Sequence, residues 1–211
     1  MFTLLNNVIV FLDGQQQKPY VLVMPNGGQH VHALPYPNGI YRIIVRGSQT
    51  ANIFTIIEGL IYINEGARTH YHMYEDETFY VVNGTLQFYV AGDQFCAPAG
   101  TTVYIPRNVT QSVRNINSKP AHVQILFAPP GRENYLEEVS PLHDAQPINY
   151  TATNALALKY GVINLPEVDW QDLNCVDNDS SLIHEDNSGA LFARPIFLIL
   201  LTIQFHIFNF M

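Results

Sequence analysis

GARTHYHMYEDETFYVVNG, residues 66–84, is the stretch on which the reading of this chain turns. His70 and His72 lie two apart, and side chains on a strand alternate between faces, so both imidazoles point one way and Tyr71 the other. Glu77 follows five residues after His72, far enough for the chain to turn and bring a carboxylate alongside the imidazoles on the next strand. Two neutral imidazoles and one carboxylate are a donor set for Fe(II), Mn(II), Ni(II), Cu(II) or Zn(II), and ligand type alone does not choose among these divalent transition metals. The stretch runs on into FYVV-NG-TLQFYV, residues 79–90, where Asn83-Gly84 offers the two positive-φ residues of a type I′ turn and predicts a hairpin.

Outward from it, residues 20–127 are short apolar runs rich in Val, Ile, Tyr and Phe, broken at Pro25-Asn26-Gly27-Gly28, Pro37-Asn38-Gly39 and Ala91-Gly92-Asp93. This predicts one antiparallel all-β domain over 20–130. A strand over 101–105 stops at Pro106, which has no N–H to continue a ladder; strands resume near 111–114 and over 122–127. After Pro129-Pro130-Gly131 the spacing turns weakly helical over 132–139 and 151–160, with Gly161 as a C-terminal cap, so 131–161 is expected as a helical extension outside the barrel. Between Lys159 and Arg194 there is no Lys or Arg but seven acids, so 162–195 reads as an acidic, poorly ordered linker. Residues 196–211 form an apolar tail of 16 residues, short of the ~20 that cross a bilayer as a helix. A loosely structured tail is expected there, with a membrane anchor as the alternative.

Composition removes several classes of function. A net charge of −8 with only 10 Lys and Arg argues against nucleic acid as a partner, since that needs clustered cations. Cys96 and Cys175 have no Cys-x-x-Cys pairing and read as two unrelated thiols. The N-terminal MFTLLNNVIVFLDG is apolar but interrupted by Asn6 and Asn7, with no preceding cation and no small-residue cleavage site. The expected compartment is therefore cytoplasmic, with secretion or membrane anchoring as alternatives. His30 and His32 repeat the H-x-H spacing without a partner acid and read as loop residues; His122 reads as a satisfied barrel-end residue, and Glu75 and Asp76 as a solvated face at the barrel mouth. No Gly-rich phosphate loop and no nucleophile elbow occurs.

The order Gly66, His70-x-His72, Glu77, Gly84 resembles the first motif of the cupin superfamily, with the Gly66 to His70 interval two residues shorter than usual. Gly92, Pro98-Ala99-Gly100, Gln111 and Asn115 resemble the second motif, and Val103-Tyr104-Ile105-Pro106 sits where the family has an apolar strand ending in Pro. The two motifs together cover residues 66–115. The resemblance implies a cupin jelly-roll barrel, a double-stranded β-helix, followed by short C-terminal helices and the tail. It also implies metal ligands at His70, His72, Glu77 and position 111. There the family has histidine and this chain has Gln111, which would complete the site weakly, hydrogen-bond a metal-bound water, or mark the loss of metal.

Segments 106–115 and 128–139 resemble the quercetin dioxygenase-like group of single-domain cupins. That resemblance implies a metal-dependent dioxygenase acting with O2 on a small phenolic or enolic substrate. Glu77 would serve as ligand and acid/base, and Phe79 and Val81 would line the pocket. The alternative is a metal-free or non-catalytic small-molecule-binding cupin. A homodimer is compatible with either.

Overall fold

Strand β3 (Thr55–Ile61) shows how the sequence dictates the architecture: Thr55, Ile57, Gly59 and Ile61 are buried while Ile56, Glu58 and Leu60 turn outward. A period of two with β-branched residues on one face makes a half-buried strand. The computed structural model describes residues 20–36 and 38–176. The N-terminal apolar stretch, the acidic segment beyond 176 and the tail 196–211 lie outside the described residues.

The remaining elements are β1 (Gln29–His32), β2 (Ile40–Val45), β4 (Gly66–His72), β5 (Asp76–Asn83), β6 (Thr85–Val90), β7 (Asp93–Pro98), β8 (Thr102–Ile105), β9 (Gln111–Arg114), β10 (Ala121–Ala128), α1 (Arg132–Asp144), α2 (Tyr150–Lys159) and β11 (Val162–Asn164). They form two antiparallel sheets, in the orders β1-β2-β3-β10-β5-β8 and β11-β4-β9-β6-β7. The inner faces bury Ile57, Ile61, Val81, Leu86, Phe88 and Val123, each at 1% exposure or less. Each such side chain contributes about 1.5–3 kcal/mol of hydrophobic stabilisation.

The expected hairpin at Asn83-Gly84 does not form. Strand β5 pairs with β10 and β8, and β6 pairs with β7 and β9, so the chain passes from one sheet to the other at this point. Asn83 ends β5 and only Gly84 takes positive φ, at 81°. Crossing sheets lets Phe79 and Val81 from one side and Leu86 and Phe88 from the other bury in a single core. The two-residue hairpin instead joins β6 to β7, where Val90 faces Asp93 across Ala91 (φ 53°) and Gly92 (φ 102°).

The cysteines are not unrelated thiols: Cys96 and Cys175 are joined by a disulfide across 79 residues of sequence. It fastens the start of the acidic segment to the second sheet. Gln87 Nε2 donates to the Gln171 carbonyl and Gln94 Nε2 to that of Asp169, each at 2.8 Å, and the Arg114 guanidinium lies 4.5 Å from the centre of the Trp170 ring. Residues 162–176, expected within a poorly ordered linker, therefore have partners for their backbone as well as a strand, β11, paired with β4. Composition reported their charge and not these contacts.

Helices form over both expected stretches. Helix α2 is capped by Asn149, whose side chain accepts from Ala152 N at 3.0 Å, and Gly161 follows with φ 71°. Rather than lie wholly outside the barrel, the helices wall its cavity with Tyr135, Leu136, His143 and Thr153. No helix among the described residues is long and apolar enough to cross a membrane.

Candidate metal centre

Strand β4 carries the two histidines, and a bulge in it decides where they point. Ala67 pairs with Val113 but His70 pairs with Gln111, so β4 gains one residue against β9 between them. The shift keeps both Ala67 and His70 on the cavity side and sends Thr69 outward, where its hydroxyl donates to Glu167 at 3.3 Å. Gly66 begins the strand because nothing larger fits: a Cβ there would lie 1.9 Å from the Val113 carbonyl oxygen.

Strand β5 brings Glu77 to the same place. One ligand atom each from His70, His72 and Glu77 lie within 4.8 Å of one another, and the three side chains are buried. His72 Nε2 is 3.1 Å from His70 Nε2 and 3.0 Å from Glu77 Oε2. His70 Nδ1 donates to the Arg68 carbonyl at 2.6 Å, which fixes the tautomer and leaves Nε2 as a lone pair aimed at its partners. Burial, and then the neighbouring His72, push the His70 pKa down to about 4, so the imidazole is neutral and ready to ligate at neutral pH. Burial pushes the Glu77 carboxyl up, but His72, His70 and Arg132 together outweigh it and hold it below the usual carboxylate range. Two imidazole nitrogens and a carboxylate oxygen, converging and buried, fit a divalent transition metal.

Gln111 is buried beside this group and its Nε2 donates to Glu77 Oε2 at 2.6 Å. An ionised carboxylate only accepts, so the amide must turn its NH2 toward it. Gln111 thus orients the carboxylate. Phe79 lines the adjacent cavity, while Val81, further along the same face of β5, is fully enclosed in the core and does not reach it.

Two residues here were not anticipated. Glu75, expected at a solvated mouth, is 5% exposed, with Oε2 3.4 Å from His72 Nδ1. Arg132, the first residue of α1, is 6% exposed; its Nη2 meets His72 Nδ1 and lies 2.9 Å from His72 Nε2, and the guanidinium sits over the rings of Phe127 and Tyr135 at 5.0 Å each. One signal was available: a cation in the first turn of a helix opposes the helix dipole and so asks for another reason to be there. Elsewhere, His32 binds Asp144 and the Tyr36 carbonyl, each at 2.7 Å, and His122 binds Glu58 at 2.9 Å, so neither belongs to the centre.

The cavity beside the triad has a volume of about 170 Å³ and an apolar wall that includes Tyr41, Phe79, Ile125, Phe127, Tyr135 and Leu136. This is small against the ~300–1,000 Å³ of sites for drug-sized ligands, and suits a single substituted ring.

A cupin-domain family model matches residues 52–128, which include both motifs and the three candidate ligands. No curated protein is detectably similar to the chain in sequence. Among solved structures it is similar to KdgF from Halomonas sp. (15% identity, TM-score 0.40, covering 45% of this chain and 82% of that one). It is also similar to a putative sugar phosphate isomerase from Acidithiobacillus ferrooxidans (20% identity, TM-score 0.40, 48% and 67%). An RmlC-like cupin from Shewanella frigidimarina is a third (16% identity, TM-score 0.39, 46% and 79%). With its two facing antiparallel sheets, two C-terminal helices and a buried His-His-Glu group that could hold a metal, this chain contains a cupin domain folded as a double-stranded β-helix.

Proposed function

We propose that the protein is a metal-dependent dioxygenase of the quercetinase-like kind, acting with O2 on a small phenolic or enolic compound. The observation that carries the reading is the buried triad of His70, His72 and Glu77 opening onto a small aromatic-walled cavity. A divalent transition metal held there would supply Lewis-acid polarisation of the substrate oxygen and access to oxygen chemistry.

The chain's own residues do the rest. Gln111 holds the Glu77 carboxylate in place, and the Arg68 carbonyl holds His70. Phe79, Phe127 and Tyr135 position one ring by stacking and exclude water. Glu77 receives the proton of the substrate hydroxyl; its depressed pKa makes it a weak base, so the transfer suits a hydroxyl already acidified within the site.

A second reading, a metal-free small-molecule binder, is favoured by one observation. The Arg132 guanidinium lies directly against His72, where a cation repels a metal ion. Elemental analysis of protein purified without chelators, with oxygen uptake on single-ring phenols, enols and a flavonol, separates the two. Wild type is expected to carry stoichiometric metal and consume oxygen, and His72→Ala to do neither. Equal trace metal in both proteins would leave the binder standing and remove the enzyme.

A further inference from the structure

Arg132 is the feature that the proposed dioxygenase chemistry leaves unused. Its charge is buried, yet its hydrogen bonding is incomplete. Nε has no partner, and the nearest carboxylate oxygen, Glu75 Oε2, lies 3.6 Å from Nη2 and is itself without a hydrogen bond. A settled buried ion pair satisfies both ends, because an orphaned polar group in a dry interior costs about 1–3 kcal/mol and a charged one more. The guanidinium lines the cavity, flanked by Phe127 and Tyr135, whose faces attract it but offer no acceptor.

Formal charge points the same way. With a divalent ion on the triad, the groups in contact at the centre would be the ion (+2), Arg132 (+1), Glu75 (−1) and Glu77 (−1), the histidines being neutral. The sum is +1, and one monoanion cancels it. The acceptor that Arg132 now uses is also conditional. A neutral His72 that ligates through Nε2 carries its proton on Nδ1 and has no lone pair there for a guanidinium. Glu75 Oε2, 3.4 Å from that nitrogen, is the group placed to accept the hydrogen bond that Nδ1–H then donates, and Arg132, which lines the cavity, is left with donors free for a ligand.

We infer that Arg132 is an anion-binding residue and that the substrate is a single-ring acid, whose carboxylate pairs with the guanidinium while its phenolic or enolic oxygen faces the triad. This rests on the metal-dependent reading of the same site.

The test is calorimetric and uses the full-length chain, zinc-loaded and metal-free, with two acid and amide pairs: salicylate with salicylamide, and phenylpyruvate with phenylpyruvamide. In zinc-loaded wild type, at least one acid should bind about tenfold to a hundredfold more tightly than its amide, as expected of a charge-assisted bidentate contact. Arg132→Met should bring that ratio close to one, and Arg132→Lys should keep part of it. Ratios near one in wild type for both pairs, or no binding of any probe, would overturn the inference without requiring a variant to fold. A ratio unchanged in Arg132→Met would overturn it too, because the metal alone would then be holding the acid. Zinc uptake is titrated separately. If it fails, the metal reading falls and the acid-to-amide ratio of the metal-free protein still decides the role of Arg132.

Discussion

At Gln111 the chain departs from the motif it otherwise follows, and the structure gives that departure a physical meaning. The amide braces Glu77 and does not offer it a rival ligand. Gln111→His should add a fourth strong donor and raise metal affinity on the order of tenfold or more. Oxygen uptake should fall, because the added imidazole takes the position that substrate or oxygen needs. Competition with a chromophoric chelator reads the first effect and an oxygen electrode the second; unchanged affinity would count against a metal at this site. His70 provides a pH test in the metal-free protein. Its pKa in the fold is lowered from 6.5 to about 4, so between these values the unfolded chain takes up a proton that the folded one excludes. The resulting stabilisation is complete above pH 6.5 and is lost as pH falls toward 4, by roughly 3 kcal/mol at ~1.4 kcal/mol per pH unit. Glu77, lowered as well, contributes stability above its unfolded value of 4.5 that is lost at lower pH still. Urea unfolding at pH 7.5, 5.5 and 4.5 should show wild type losing more than His70→Asn, and parallel curves would refute the assignment.

Strand β4 is positioned by its first residue and by its bulge. Gly66→Ala would drive a methyl group to 1.9 Å from the Val113 carbonyl oxygen, against backbone that cannot rotate away. Separating β4 from β9 should cost more than about 3 kcal/mol, within the range of the most severe single substitutions, and should carry metal binding away with it. Chemical denaturation and zinc titration check the two effects; a loss of stability with full zinc affinity would show that the register of β4 does not position the histidines. Segment 162–176 makes the opposite point, being held by a cross-link and hydrogen bonds and not by a large apolar face. The Cys96–Cys175 bond closes a loop of 79 residues, worth on the order of 4 kcal/mol by chain entropy. Cys175→Ser should lower Tm by roughly 8–16 °C under non-reducing conditions, and dithiothreitol should lower wild type alone. Indifference of wild type to the reductant would mean that the strap adds little.

Across the whole molecule the net charge of −8 attracts cations of any kind, but salt screens that attraction within ~10 Å at 0.1 M. The triad is enclosed, so specific binding should survive where surface attraction does not. Metal at a hundred times its Kd would stabilise the fold by about 2.7 kcal/mol, or roughly 5–10 °C for a domain of this size. A chelator should therefore lower Tm by that amount at 0.5 M NaCl as well as at low salt. A shift that disappears in high salt would assign the metal to the acidic surface.

The sequence by itself determined what is local. Alternation of Val, Ile, Tyr and Phe specified the strands, Gly161 the end of α2, and the spacing of His70, His72 and Glu77 three side chains that meet between the two sheets, from β4 and β5. Each depends on backbone geometry within a few residues or on a motif that fits one barrel. Tertiary structure alone decided that Asn83-Gly84 changes sheets, since both flanking strands are apolar enough for a hairpin and only the shared core makes the crossing better. It alone joined Cys96 to Cys175, because a bond across 79 residues has no local signature. It also buried Glu75, which reads as solvated in the sequence, and brought Arg132 to His72 from 60 residues away, both side chains being covered by helix α1 and its neighbours. Periodicity and motif spacing act along the chain, but burial of a charge is settled by what the rest of the fold places over it.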